Sequence, residues 1–307
     1  MNYNKKIKVF YNENMAVKNN VGYSRSPEKP AFLIKYLAEQ NLLAKYFEIE
    51  STFQSFERED FLIAHNEKYV DAFFSNKQPL CNSNGLRWSQ EFATSVTYTN
   101  SSLYHAIKEA VKNPSQITFS PTSGFHHAMP AGGKSFCTFS GQVIASVKIY
   151  REFGKRAAWL DLDQHFGNSI GDSMDFVKDL KDAIPKGFNI NPEGDNERYI
   201  NNLKKSLEML GTAILNDEID YVVWAHGADS HEDDDLGGKV NTEQWIRCSK
   251  IFFNWVKDIN ARLGRTLPII ITLFGGYRED DFNSVLSLHT ADLVECLNIL
   301  IGNNIDY

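Results

Sequence analysis

Two aspartates and a histidine stand at alternate positions of this 307-residue sequence, directly after a short apolar run. The run Ala157–Leu160 indicates a buried strand of a parallel sheet, and Asp161, Asp163 and His165 follow it. Because alternate residues of a strand project from one face, this spacing directs the three side chains toward a common point. Carboxylate oxygens and an imidazole nitrogen suit a borderline ion such as zinc. The pattern predicts a metal site at the carboxyl end of a central strand, although acidic residues there also cap helices or stay in water.

Further reactive side chains follow three other predicted strands. They are His126 and His127 in the loop after Ile117–Phe119, Asp229 after Tyr221–Ala225, and Tyr277 after Pro268–Phe274. Parallel strands present all their carboxyl ends at one edge of a sheet, so these residues can meet although they are far apart in the chain.

Helical periodicity between the strands predicts an α/β fold. The helices are expected to start near Ser26-Pro27, to cover Phe61–Phe74, Glu91–Val111, Phe139–Phe153 and Trp245–Leu263, and to start at Asp195 and at about Thr290. A further strand is expected at Ile7–Tyr11. Strands that alternate with helices form crossover units, which favour a single three-layer domain over residues 1–307, with a central, mostly parallel sheet flanked by helices.

Composition restricts the classes of partner. Thirty-nine acidic residues against 32 basic ones give a net charge of −7, which disfavours binding of nucleic acid through a basic face and favours cationic substrates. The four cysteines show no disulfide or CxxC pattern and indicate a reducing compartment. The amino-terminal residues lack the apolar stretch of a signal peptide, and no apolar run approaches the ~20 residues that span a membrane. We therefore expect a cytoplasmic protein without a membrane partner.

Five short segments together resemble one enzyme family. They are GFHHA at 124–128, SFC at 135–137, DLDQHFGN at 161–168, GADSHEDDDLGG at 227–238 and FGGY at 274–277. In this order they are similar to the zinc-dependent histone deacetylase and acetylpolyamine amidohydrolase family, which has the arginase-like fold. The resemblance implies a metal held by Asp163, His165 and Asp229. It implies zinc, for which ferrous iron is the alternative with this ligand set, and a monovalent cation near Asp161.

The resemblance also implies roles for the remaining residues. His127 would be the general base that later protonates the leaving amine, with His126 as its electrostatic partner. Tyr277 would donate a hydrogen bond to the developing oxyanion. The supporting positions are Asp161 toward His126, Asn168 toward His127, Asp234 near the metal, and Phe136, Gly275 and Gly276 along the substrate channel. Since Asn168 is neutral, it should hold His127 less strongly as an imidazolium than a carboxylate would.

The function implied is a metal-dependent amidohydrolase that removes acyl groups from acylated lysine side chains or acylated polyamines. An arginase-type ureohydrolase is the first alternative, but it needs two manganese ions, and Phe166-Gly167-Asn168 offers few further ligands after His165. A non-catalytic acyl-lysine binder is the second, and it would have no use for the base His127. The segment between Asn168 and Asp195 is shorter than usual in the family, which leaves the second wall of the channel undefined.

Overall fold

A seven-stranded sheet forms the centre of the computed structural model, which describes residues 2–18 and 22–307. The strand order is β2-β1-β3-β7-β6-β4-β5, and every pairing between the described strands is parallel. The strands are β1 Ile7–Phe10, β2 Phe47–Glu50, β3 Thr118–Ser120, β4 Ala157–Asp161, β5 Asn189–Ile190, β6 Tyr221–Ala225 and β7 Ile269–Thr272. The predicted α/β class is confirmed.

Helices cover both faces of this sheet. They are α1 Lys29–Glu39, α2 Leu43–Tyr46, α3 Arg58–Phe61, α4 Glu67–Phe74, α5 Gln90–Lys112, α6 Gly141–Phe153, α7 Ser169–Ser173, α8 Leu180–Ala183, α9 Asn196–Leu215, α10 Thr242–Leu263 and α11 Phe282–Cys296. The apolar side chains of α1, α9, α10 and α11 pack on one face, and those of α4, α5 and α6 pack on the other. Ala158 and Leu160 of β4 join the first layer while Ala157 and Trp159 join the second, as the two-residue period of a strand requires.

Two helices begin at positions other than those predicted. α1 begins at Lys29, not near Ser26, and α11 begins at Phe282, well before Thr290. The carboxylate of Asp281 accepts a main-chain N–H of the first turn of α11, which fixes the earlier start. The helical pattern was missed there because α11 is buried on nearly all sides, so it has no polar stripe.

The predicted helix Phe61–Phe74 is only partly observed, because α3 ends at Phe61 and α4 begins at Glu67. The side chain of Asn66 accepts a hydrogen bond from the main-chain N–H of Tyr69 (2.9 Å) and thereby caps α4. The strands β2 and β5 were not predicted. Both lie at the edges of the sheet, where β2 carries two glutamates and β5 has only 2 residues, so neither shows an apolar run.

One segment departs from the expectation that no apolar stretch approaches the length that spans a membrane. α11 continues as a π-helix over Leu297–Ile301, and the combined segment Phe282–Ile301 is long and apolar enough, by length and composition alone, to cross a membrane. Its most apolar window is 61% buried within the protein, and the segment packs against α10. Its apolar character is that of a core helix.

The strand order brings the predicted reactive segments together. β3, β7, β6 and β4 are consecutive neighbours in the sheet. The loops that leave their carboxyl ends carry the paired histidines, Tyr277, Asp229 and the 161–165 segment respectively. Four separate stretches of chain therefore meet at one edge.

Candidate active site

Asp163, His165 and Asp229 converge at the carboxyl edge of the sheet. One potential ligand atom from each lies within 4.8 Å of the others. The His165 Nδ1 is 3.2 Å from an Asp163 oxygen and 3.2 Å from an Asp229 oxygen. Both carboxylates are buried, whereas 42% of the His165 side chain is exposed. The three donor atoms therefore share one small space that is open on the His165 side.

The surroundings of the two carboxylates fit a divalent cation. The main-chain N–H of Gly275 donates to Asp163 (2.8 Å) and that of Gln164 donates to Asp229 (3.1 Å). A Cβ at Gly275 would lie 2.2 Å from Asp229 Oδ2, so only glycine allows this approach. Burial, with the nearby Asp163, raises the pKa of Asp229 to about 7. Two buried, adjacent carboxylates repel each other, and a divalent ion relieves that repulsion.

His126 is buried between the carboxylates. Its Nδ1 donates to Asp161 (3.0 Å), and its Nε2 lies 3.7 Å from Asp163 Oδ2. Burial alone would lower the pKa of His126, but the charges of Asp163 and Asp161 overcome this effect and raise it to about 9. His126 is therefore held as a cation beside the second histidine.

His127 is partly buried and its ring centre lies 4.0 Å from that of His126. Its Nδ1 is 2.7 Å from Asn168 Oδ1, as expected from the sequence. Burial and the neighbouring His126 lower the pKa of His127 to about 4. The two adjacent imidazoles therefore differ in charge, the first cationic and the second neutral.

Asn168 fixes the tautomer of His127. The Asn168 Nδ2 donates to Asp172 Oδ2 (2.6 Å), so the amide presents its oxygen to the imidazole. His127 therefore carries its hydrogen on Nδ1 and keeps a lone pair on Nε2. Sequence reasoning missed Asp172. The only signal was the spacing: Asn168 directly precedes the short helix α7, and Asp172 follows four residues later within that helix.

Tyr277 lies on the other side of the site, next to Phe136. The main-chain N–H of Tyr277 donates to Asp234 (2.7 Å), and the rings of Tyr277 and Phe136 are 5.6 Å apart. The main-chain N–H of Phe136 donates to Asn84 O (2.7 Å), so the 76–86 loop supports this wall. Burial, with the charges of Asp163 and Asp229, raises the pKa of the Tyr277 phenol well above its usual value. Tyr277 is therefore a protonated donor at neutral pH.

A family model described as "Histone deacetylase domain" matches residues 23–181, just over half of the chain. The chain belongs to the histone deacetylase family. The resemblance drawn from the five sequence segments is thus confirmed.

Two relatives of this deacetylase-family chain define the extent of the similarity. "Histone deacetylase 14, chloroplastic" from Arabidopsis thaliana is 33% identical over 95 residues, a match that covers 27% of the present chain and only 22% of that relative. The crystal structure of the HDA15 HD domain superposes with a TM-score of 0.71 over 98% of this chain and 89% of that one, at 16% identity. At that identity the second match shows the shared fold alone.

Two lysines of this deacetylase-family chain also border the site, and sequence reasoning missed both. Lys29 is fully buried and its Nζ donates to Phe274 O (2.6 Å), 5.9 Å from the centre of the Tyr277 ring. Burial lowers the pKa of Lys29 to about 8, although nearby carboxylates oppose this. The half-buried Lys239 donates from Nζ to Asp163 O (3.2 Å). Its burial lowers its pKa, again opposed by carboxylates that include Asp163.

The remaining predicted positions lie close behind the site. Gly276 has a φ of +136°, and a Cβ there would come 2.6 Å from a methyl carbon of Val285, so the close packing of this turn requires glycine. Between Asn168 and Asp195 the chain forms α7, α8 and β5. Asn191 Oδ1 accepts a hydrogen bond from the Gly167 N–H (2.7 Å), which ties this segment to the chain just after His165.

Proposed function

We propose that the chain hydrolyses the amide bond of an acylated lysine side chain or an acylated polyamine. One observation carries the proposal: a three-residue ligand set lies beside an imidazole with a free Nε2 and a protonated phenol. These are the groups that hydrolysis of an unactivated amide requires: a site for a cation, a base and an oxyanion donor. The membership of the histone deacetylase family agrees with this chemistry.

Asp163, His165 and Asp229 would hold the metal ion, for which we propose zinc, with ferrous iron as the alternative. When bound, such an ion polarises the substrate carbonyl and lowers the pKa of water. Two oxygen ligands and one nitrogen ligand leave coordination positions open for water and substrate.

The proton transfers are assigned to His127. Its Nε2 takes a proton from the attacking water while Asn168 retains the hydrogen on Nδ1. As the carbon–nitrogen bond breaks, the same Nε2 returns that proton to the amine nitrogen, so the products are an amine and a carboxylic acid, whose proton then passes to the amine to give ammonium and carboxylate. The cation at His126, held by Asp161, keeps His127 neutral before the reaction.

Tyr277 would donate its phenolic hydrogen to the carbonyl oxygen as negative charge develops there. Removal of one such donor typically costs about 3 kcal/mol of transition-state stabilisation. The hydrogen bond from the Tyr277 main chain to Asp234 holds the base of this side chain, while Lys29 holds the preceding Phe274 carbonyl. Phe136 would form the adjacent wall of the acyl channel.

The acidic surface beside Tyr277 supports substrates with a cationic body. Asp235 accepts the main-chain N–H of Glu279 (2.8 Å). Burial and the negative charges of Asp235 and Glu279 raise the pKa of the Tyr23 phenol, whose ring lies 6.2 Å from that of Phe136. Such a surface attracts the charged amines of a polyamine as well as a basic peptide that carries an acylated lysine. The cytoplasmic location and the single catalytic domain over residues 1–307 remain predictions.

The alternatives find less support in the site. After His165, Phe166 is exposed and Asn168 is engaged with His127 and Asp172, so neither is placed to hold the second ion of a ureohydrolase. A non-catalytic binder would gain nothing from an imidazole whose tautomer is fixed with Nε2 free.

The proposal is tested by release of carboxylate from a substrate panel. Protein reconstituted with zinc, and separately with ferrous iron, is assayed on acetylputrescine, acetyl-lysine peptides and lysines with longer acyl chains. We expect metal-dependent product release that a chelator abolishes, that metal restores, and that His127→Ala removes. Binding of acyl-lysine peptides without turnover would support the binder instead, and formation of urea from arginine with manganese would support the ureohydrolase.

A further inference from the structure

Lys239 places an ammonium group against the main chain of the metal-binding segment. Its Nζ donates to the carbonyl of Asp163 (3.2 Å) and lies 5.3 Å from the centre of the Tyr199 ring. The Tyr199 hydroxyl donates to the preceding carbonyl, that of Leu162 (3.3 Å). Two successive carbonyls beyond β4 therefore receive hydrogen bonds from side chains of this chain.

The main chain of Lys239 is fixed by both neighbouring segments. Its N–H donates to Ser230 O (2.9 Å), next to the ligand Asp229, and its own carbonyl accepts from Asn196 at the start of α9 (2.8 Å). A Cβ at Gly237 would lie 1.4 Å from Asp229 O, so glycine is required for the chain to pass this closely. Lys239 thus connects the segments that carry Asp163 and Asp229.

Lys239 brings a positive charge to a site that contains three buried carboxylates, Asp161, Asp163 and Asp229. We propose that the ammonium of Lys239 is a built-in cation, which takes the place of the monovalent metal ion that the family resemblance implies near Asp161. An ammonium group and a monovalent metal ion are both attracted to main-chain carbonyl oxygens, and in this chain the oxygen of Asp163 already has its cation.

This inference rests on the proposed metal site, and zinc affinity is a readout that does not depend on turnover. The zinc affinity of wild type and Lys239→Met is measured by competition with a chromophoric chelator, in potassium chloride and in tetramethylammonium chloride at equal ionic strength. The wild type should bind zinc equally in both salts. Lys239→Met should lose about 10- to 100-fold in affinity in tetramethylammonium chloride and recover most of it in potassium chloride.

Two further variants separate charge from general disruption. Lys239→Arg keeps the positive charge and should show no preference for potassium. Lys250→Met removes a lysine that is 55% exposed and paired with Glu295, and it should leave zinc affinity unchanged.

Three results would overturn the inference. They are a saturable, potassium-specific gain in wild-type zinc affinity, an unchanged affinity in Lys239→Met, and a loss in Lys239→Met that no monovalent cation repairs. The wild-type measurement decides the question even if Lys239→Met does not fold. Because zinc binding is measured directly, failure of these expectations is distinguishable from absence of deacylase activity.

Discussion

Replacement of Asn168 by aspartate should raise the pKa of His127. The substitution places a carboxylate where Asn168 Oδ1 now lies, 2.7 Å from His127 Nδ1. Two unit charges about 4 Å apart interact by about 4 kcal/mol at an effective dielectric constant of about 20, which corresponds to about 3 pKa units. His127 is only partly buried, and solvent screening reduces this effect. We therefore expect a rise of about 1–2 units from the present low pKa.

The sign of the effect on activity follows from the role of His127. The base must be unprotonated to accept a proton from water, so it titrates in the acidic limb of the kcat/KM profile. Since burial and His126 hold its pKa near 4, the wild-type limb should lie well below neutral pH. Asn168→Asp should move this limb upward by about 1–2 pH units. An acidic limb at the wild-type position, in a variant that still binds metal, would refute the assignment of His127 as the base.

Asp172 provides the control for this experiment. In Asn168→Asp the new carboxylate faces Asp172 across a contact that is now 2.6 Å, and the like charges repel. The double substitution N168D/D172N restores a donor at position 172, so it should keep the shifted limb with better stability. Asp172→Asn alone removes one charge near His127, and the matched Asp175→Asn removes a charge from a side chain that is 99% exposed. Of these two single substitutions, only Asp172→Asn should alter the pH profile.

Three further predictions concern the other side of the site and its metal. Tyr277→Phe should lower kcat about 10²- to 10³-fold while zinc affinity stays unchanged, and an equal loss in zinc affinity would contradict its role as a donor to the substrate. Lys29→Met leaves the buried Phe274 carbonyl without its donor and should lower the free energy of unfolding by about 1–3 kcal/mol in chemical denaturation, whereas Lys35→Met, 73% exposed on the same helix, should not. Removal of the metal with a chelator should lower Tm, and the loss should grow as the pH rises from about 4 to 7. The raised pKa of Asp229 favours its protonated form in the fold, so the stability it contributes is present at low pH and is lost through about pH 7; a Tm difference that shrinks over this range would contradict this account.

The parts of the fold that were predictable are those buried on both sides. The strand β6 was predicted at its observed limits because each residue of Tyr221–Ala225 packs against a helical layer, which leaves a continuous apolar run. The edge strands β2 and β5 have no such run. The predicted start of α11 falls after the observed one, because this buried helix has no polar stripe to mark its first turns. Hydrophobic periodicity reports burial, so it fails at edges and in fully enclosed helices.

In the site, too, some residues could be predicted from the sequence pattern, and others are recognised only by their contacts in the folded chain. The convergence of Asp163, His165 and Asp229 could be expected, because strand ends of a parallel sheet share one edge. Lys29 and Lys239 could not, since each acts through one hydrogen bond to a residue that only the folded chain brings near, as between Lys29 and Phe274. Asp172 lies only four residues after Asn168, but the spacing alone does not show that its carboxylate accepts the Asn168 amide. Lys29 did carry a faint signal, because it stands four residues before the buried Leu33 on the same helical face.

The proposed metal ligands and the pKa of the base depend on different parts of the structure. The positions of the three ligands are set by the strand order and by neighbouring glycines, at which a Cβ would collide with Asp229. Substitutions at these glycines would therefore disturb the edge of the sheet. The pKa of the base depends instead on burial, on the neighbouring His126 and on the hydrogen bond between His127 and Asn168, whose amide donates to the exposed Asp172. Replacing the amide of Asn168 by a carboxylate, or the carboxylate of Asp172 by an amide, changes the pKa of His127 and leaves the three proposed metal ligands in place. We therefore expect the pH dependence of activity to be easier to alter by substitution than the affinity for the metal.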